Sequence, residues 1–311
     1  MKSIEIVGLG EVVVDWVTEI PYFPRPDEKI DAISENYFSG GVTANYVVAT
    51  SRLGAKSGFI GAVGSDNHGT FLINDFNKEN VDTTCTIVKK DKKTPVNFIF
   101  IAKGEKTIIQ STLMKSTKLL SSELNEQYIA SAKLLHTTLI HPKLSMTAIN
   151  MAKKHDVKVS IDLEAQIAYR GWENLKDALL NCDVLIPNKE GAKQITNTDS
   201  VKEAGELLVK KGISRVIITI GKQGALLFTN KENTLIPAYH VRNVIDTTGA
   251  GDAFNGAFSV GYWIKGWGIE KSCRFANAAA ALKVKKLGAR TGMATEKDVF
   301  NFLEDVNDPY F

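Results

Sequence analysis

The sequence predicts an α/β protein in which a mainly parallel sheet is covered by helices on both faces. Three observations carry this. Short β-branched runs alternate with longer apolar patterns of helical period, two stretches break that rhythm with two-residue alternation, and no internal repeat or long linker divides the chain. In chain order, "IEIVGL", "SGFIGAV", "KLLHTTLI", "VKVSIDL", "CDVLIPN" and "RVIITI" read as strands. Between them "TANYVVATSRLG", "LSMTAINMAKKH" and "KEAGELLVKKG" place apolar residues at helical spacing. The exceptions are "EVVVDWVTEI" with "KIDAISENYF", and "TPVNFIFIAKGEKTIIQST", which turns at Lys103-Gly104. These predict a small antiparallel sheet from residues of about 12–38 and 94–112. It would form a flap at one end of the main sheet, where α/β proteins bind ligands. The expected organisation is one domain over 1–311 with this flap as its lid.

Composition narrows the partners. The 311 residues are 44% hydrophobic and 23% charged, ordinary for a globular chain able to bury a core. A net charge of +3, from 38 basic and 35 acidic residues spread along the chain, gives no basic arm or acidic tail for nucleic acid or a membrane surface. The three cysteines, Cys85, Cys182 and Cys273, lack both disulfide-framework and zinc spacing. "MKSIEIVGLG" runs into a strand without a signal-peptide core, and no apolar run is long enough to span a bilayer. The expectation is a cytoplasmic protein.

The richest stretch is "DTTGAGDAF", Asp246 to Phe254. Gly249 and Gly251 let the backbone turn so that successive N–H groups point one way. A helix starting at about Asp252 adds its unpaired donors and positive dipole end, and such a turn cradles an anion. Asp252 fits either of two roles. It would cap that helix, or, at the mouth of an anion site, it would take a proton from a substrate hydroxyl as general base.

This motif, with "GGVTAN" at Gly40 to Asn45, "AVGSDNHG" at Ala62 to Gly69 and "TIGKQGALL" at Thr219 to Leu227, resembles the PfkB or ribokinase-like family of carbohydrate and nucleoside kinases. The likeness covers nearly the whole chain in the family's order and spacing. It implies a ribokinase-like α/β/α sandwich with a mainly parallel central sheet and a small β-sheet lid, ATP as donor, Mg²⁺ as cofactor, and a sugar or nucleoside hydroxyl as acceptor. On that resemblance Asp252 is the catalytic base, and Gly249, Ala250 and Gly251 hold the charge developing on the γ-phosphoryl group. Asp246 and Thr248 match positions that help bind a monovalent cation such as K⁺. Asp15, Gly40, Gly41 and Asn45 match acceptor-binding positions, while Asn188, Thr219, Gly221, Gly224 and Asn277 match positions along the nucleotide.

The departures from the family pattern set the finer expectations. An Asn-x-x-Glu motif is common after the strand matching "DVLIPN", but here "NKEGA" puts Gly191 in the Glu position. Glu190 is the nearest substitute for holding Mg²⁺. Ribokinases carry a sugar-binding Glu after the strand matching "LLHTTLI", where this chain has "IHPKL" and His141. Ribose is thereby disfavoured against fructose, a related hexose or a keto-sugar acid, with a nucleoside as the alternative. "SIDLEAQIAYRG" supplies Asp162, Glu164 and Arg170 beyond a strand end, a polar cluster that would read acceptor or phosphates or, for Arg170, lie solvated. A dinucleotide fingerprint is excluded by Val13, a P-loop is absent, and the five histidines show no metal spacing. The remaining alternative of another class is a silent nucleotide- or sugar-binding regulator. The lid's strand edges suggest a homodimer.

Overall fold

The apolar runs and the two alternating stretches fold as strands, joined by three short strands, Thr86–Lys89, Gly224–Thr229 and Asn233–Pro237, that the sequence analysis does not include. In chain order these are β1 (Ile6–Leu9), β2 (Val13–Glu19), β3 (Ser34–Gly40), β4 (Ser57–Gly64), β5 (Thr86–Lys89), β6 (Val96–Ala102) and β7 (Glu105–Ile109). They continue with β8 (Leu134–Thr137), β9 (Lys158–Leu163), β10 (Val184–Pro187), β11 (Arg215–Thr219), β12 (Gly224–Thr229) and β13 (Asn233–Pro237). The computed structural model describes residues 4–115, 117–231 and 233–311.

A nine-stranded sheet runs β13-β12-β11-β10-β9-β8-β1-β4-β5, parallel from β5 to β11. The antiparallel edge β11-β12-β13 is not foreseen from the sequence. Neighbouring residues of one strand face opposite sides, and here both sides are buried. Ile6, Phe59, Val184 and Ile217 enter one apolar cluster, and Val7, Ile60, Leu185 and Val216 the other. The first is covered by helices Val42–Arg52, Ala250–Ser259 and Ile269–Lys283, the second by Pro142–Lys154 and Val201–Lys210. That is the three-layer sandwich. Among the described residues no helix is long and apolar enough to cross a membrane.

The second sheet, β3-β2-β6-β7, corrects one expectation. Each hairpin is antiparallel, and Lys103 (φ 50°) and Gly104 (φ 83°) make the predicted turn, but the central pair β2-β6 is parallel. The two segments enter from the same end of the large sheet, so their inner strands run together and the small sheet is mixed.

Candidate active site

The order of the large sheet reverses between β1 and β8, and a cleft of about 1150 Å³ opens at the carboxyl ends around that point. Strand ends supply its floor: Glu11 after β1, Thr138 after β8, Glu164 after β9, Asn188 after β10 and Gly221 after β11. Asp15, Asn97 and Lys106 of the small sheet form its roof, and the 246–251 turn closes one side.

That turn is not built as the sequence predicts. The helix begins at Ala250 with Gly249 at its N-cap, so Asp252 is the third helical residue and caps nothing. Gly249 has φ 81°, and a Cβ there would stand 2.5 Å from the Ala289 carbonyl, so this position needs glycine. Asp252 points inward and is 8% exposed. Its Oδ2 accepts Asn45 Nδ2 at 2.8 Å, the Asn45 Oδ1 accepts Arg290 Nε at 2.9 Å, and Arg290 reaches Asp75 Oδ2 at 2.5 Å. Burial pushes the Asp252 carboxyl up to about 7, with the Asn45 hydrogen bond opposing and the Glu164 charge adding. A carboxylate poised there matches the operating range of a general base. Asn45 is buried, not solvated.

On the roof, Asp15 accepts Asn97 Nδ2 at 2.9 Å, and burial raises its pKa. Gly40 stands behind Asp15 outside the cleft lining, where any Cβ would collide with the carboxylate. Its role is close approach. Gly41 (φ 101°) lines the cleft at the N-cap of Val42–Arg52. Thr219 and Gly221 also line it, with Asp246, Thr248 and Ala250 to Asp252. Gly224 (φ 106°) instead starts the β12 hairpin, and Asn277 ties its helix to β13 by donating to Ile236 O and Pro237 O at 3.1 and 3.0 Å. Arg170 also lies outside the lining, donating to Ile140 O at 2.9 Å.

The altered Asn-x-x-Glu segment leaves no room for a side chain at position 191. Asn188 Oδ1 accepts Gly191 N at 2.7 Å and caps helix Lys189–Thr196, and a Cβ on Gly191 would run into the Leu163 carbonyl. Gly191→Glu, which restores the family pattern in sequence, is therefore expected to destabilise the fold by about 1–3 kcal/mol. It should not lower the Mg²⁺ concentration for half-maximal rate. A stable variant with tighter Mg²⁺ dependence would contradict this. Glu190 lines the cleft but is largely exposed, 3.7 Å from both Lys189 and Lys193.

Several site residues escape sequence reasoning. Arg290 and Lys106 carry no motif, yet Arg290 is buried behind Asn45 and Lys106 Nζ reaches from β7 to Thr248 Oγ1 at 3.0 Å. Glu11 pairs with His141 Nε2 at 2.8 Å. Among the described residues its other oxygen is buried without a hydrogen-bond partner, as are Thr43 Oγ1, Asn97 Oδ1 and Asn255 Oδ1, all on residues that line the cleft.

Comparison with known proteins agrees with this geometry. The pfkB family carbohydrate kinase profile matches residues 1–296. The chain is 34% identical over 308 residues to ribokinase of Haemophilus influenzae, covering 95% of this chain and 97% of that protein. It is 28% identical to 5-dehydro-2-deoxygluconokinase of Bacillus subtilis, with 97% of each covered. The structure of ribokinase from Thermotoga maritima superposes with a TM-score of 0.81 at 27% identity, over 97% of this chain and 99% of that one. Matched over nearly its whole length in sequence and in fold, the chain belongs to the pfkB family of carbohydrate kinases, which move a phosphoryl group from ATP to a sugar hydroxyl.

Proposed function

We propose that this kinase phosphorylates a hydroxyl of a neutral six-carbon sugar, fructose first, with a keto-sugar acid next and ribose behind both. The observation that carries this reading is the Glu11–His141 pair, with a buried unpartnered Glu11 oxygen, where a sugar-binding Glu would follow β8. Buried acceptors without donors cost free energy until a ligand supplies them. Hydroxyls on an acceptor satisfy Glu11 Oε2 and Asn97 Oδ1, and Asp15 takes another. Two carboxylates at this end disfavour a carboxylated sugar relative to a neutral one.

Asp252 then accepts the proton of the attacking hydroxyl as its oxygen bonds the γ-phosphorus and the bond to ADP breaks. The N–H groups of the 249–251 turn hold the charge on the transferred group. Lys106 adds a cation from the roof. Mg²⁺, when bound, offsets triphosphate charge, and Glu164 and Glu190, on either side of Asn188, are the hard oxygen donors on this wall that would hold it. Their fit is chemical: both carboxylates line the cleft, Glu164 after β9 and Glu190 in the first turn of helix Lys189–Thr196.

ADP release from ATP with a panel of fructose, other hexoses, keto-sugar acids, ribose and adenosine tests the acceptor. Fructose or another hexose should give the highest kcat/KM. Ribose ranking first would overturn the reading, as the similarity to ribokinases invites, and adenosine ranking first would favour a nucleoside kinase. Nucleotide binding without turnover on any acceptor would favour a silent regulator.

The small sheet is proposed as a lid that closes over the acceptor, its contact being Lys106 to Thr248. Lys106→Met should lower kcat/KM for ATP by roughly tenfold or more, since it removes a donor aimed at the phosphate turn. An unchanged value would sever the lid from phosphate binding. β3 and β7 leave the lid's two edges unpaired, and we infer that a second copy pairs there. A monomer at all concentrations in sedimentation would remove that inference.

A further inference from the structure

The Asp246 carboxylate, which by resemblance would help hold a monovalent cation, already has a cation from this chain beside it. Lys283 ends helix Ile269–Lys283 and is fully buried. Its Nζ donates to the Asp246 carbonyl at 2.8 Å, reaches the Lys286 carbonyl at 3.5 Å, and stands 3.9 Å from Asp246 Oδ2. The carboxylate itself is engaged on both oxygens. Oδ1 accepts Thr248 N at 2.9 Å and Thr248 Oγ1 at 2.7 Å, and Oδ2 accepts Gly288 N at 2.9 Å. Two more bonds, from Ile245 N and Asp246 N to the Val284 carbonyl, at 2.8 and 3.2 Å, lock the two segments together.

An ammonium buried without partners costs several kcal/mol, so this one must be held by what faces it. What faces it is a set of carbonyl oxygens and one carboxylate, the donor chemistry a weakly hydrated monovalent cation also takes. A second cation on the same oxygens would stand next to the ammonium, and like charges that close repel. Nζ already holds the Asp246 carbonyl, and the carboxylate oxygens are already taken by Thr248 and Gly288. The residues here do not fit a potassium ion.

We propose that Lys283 is a built-in counterion that stands in for a bound monovalent cation, holds the 246–251 turn from behind, and makes this kinase independent of potassium. Lys283 is a positioning residue, acting through Asp246 and Thr248. The inference rests on reading that turn as the phosphate-holding element, so the test includes a measurement that needs no turnover.

The full-length protein, freed of alkali cations, is melted without nucleotide in choline chloride and in KCl at equal ionic strength. The wild type should melt at the same temperature in both, and its turnover should differ by less than about twofold, well below the effect of a lost phosphate donor. A higher melting temperature or a severalfold higher rate in KCl would overturn the proposal. Lys283→Met keeps the stem and removes the charge. Its rate in choline should fall on the order of tenfold or more, the scale on which misaligned phosphate donors act, and KCl should restore part of that rate and raise its melting temperature. A folded Lys283→Met enzyme with the full rate in choline would also overturn it. Should this variant fail to fold, the wild-type comparison still decides, and should no sugar be turned over, the melting arm still does.

Discussion

Asp252→Asn is expected to lower kcat by roughly 10²- to 10⁴-fold while ATP and acceptor continue to bind, because it removes a general base and preserves its shape. With its amide oxygen in the place of Oδ2 the new side chain still accepts from Asn45 Nδ2, Asn45 keeps its orientation toward Arg290, and the buried chain through Asn45 and Arg290 to Asp75 keeps its packing. The wild-type pH profile offers an independent check. A base must be deprotonated to act, and burial lifts this carboxyl to about 7, so kcat/KM should rise with pH up to about that value and level off above it. In the variant that limb should vanish. Stability carries the opposite sign. The native carboxyl holds its proton to higher pH than the unfolded chain does, so its contribution is full below the ordinary value of 3.8 and is lost as pH rises through about 7. Above pH 7 the variant should therefore melt higher than the wild type. A kcat within a few-fold of wild type would remove Asp252 from the role of base.

What could be read from the sequence, and what could not, divides by distance along the chain. The six inner strands β4, β1, β8, β9, β10 and β11 of the large sheet were legible because each is a local apolar run whose period is set by its own backbone, whereas the short outer strands β5, β12 and β13 carry too little of that pattern. The turn at 246–251 was legible as a glycine turn running into a helix because its residues are contiguous, although the helix starts at Ala250 and not at Asp252. The parallel pairing of β2 with β6 was not, because register between segments some 80 residues apart is fixed by where each enters the sheet and leaves no trace in either. Arg290 and Lys283 were invisible for the same reason. A basic residue in "KVKKLGAR" has only its charge to show, and only folding brings Arg290 to Asn45 and Lys283 to Asp246. Gly191 is a further case. The Glu position of the family pattern is closed to any side chain here by the Leu163 carbonyl, a contact between segments that the sequence does not display. Gly224 and Asn277 match nucleotide positions only by resemblance, and in this fold both are engaged by the hairpin β12-β13.

Arg290→Met should be the most damaging substitution outside the cleft lining. The guanidinium is 7% exposed, lies over the Phe76 ring, and donates to Asp75, Asn45 Oδ1 and Gly40 O. Methionine replaces the stem but none of the donors, leaving Asn45 Oδ1 and Gly40 O unsatisfied and Asp75 without its partner. Breaking a fully buried pair costs about 3–5 kcal/mol, and because the Asp75 side chain is 28% exposed the expected loss here is about 2–4 kcal/mol. Chemical denaturation should show a lower midpoint. The second consequence reaches the reaction. Arg290 favours the ionised form of Asp252, so its removal should push that carboxyl further up and move the acid limb of kcat/KM to higher pH, an effect that lost packing alone would not produce. Arg290→Lys should restore the charge and so return part of the limb, without the fork that serves Asn45 and Asp75 together, and its stability should stay well below wild type. An Arg290→Met enzyme with wild-type midpoint and an unmoved acid limb would detach this residue from both the fold and the base.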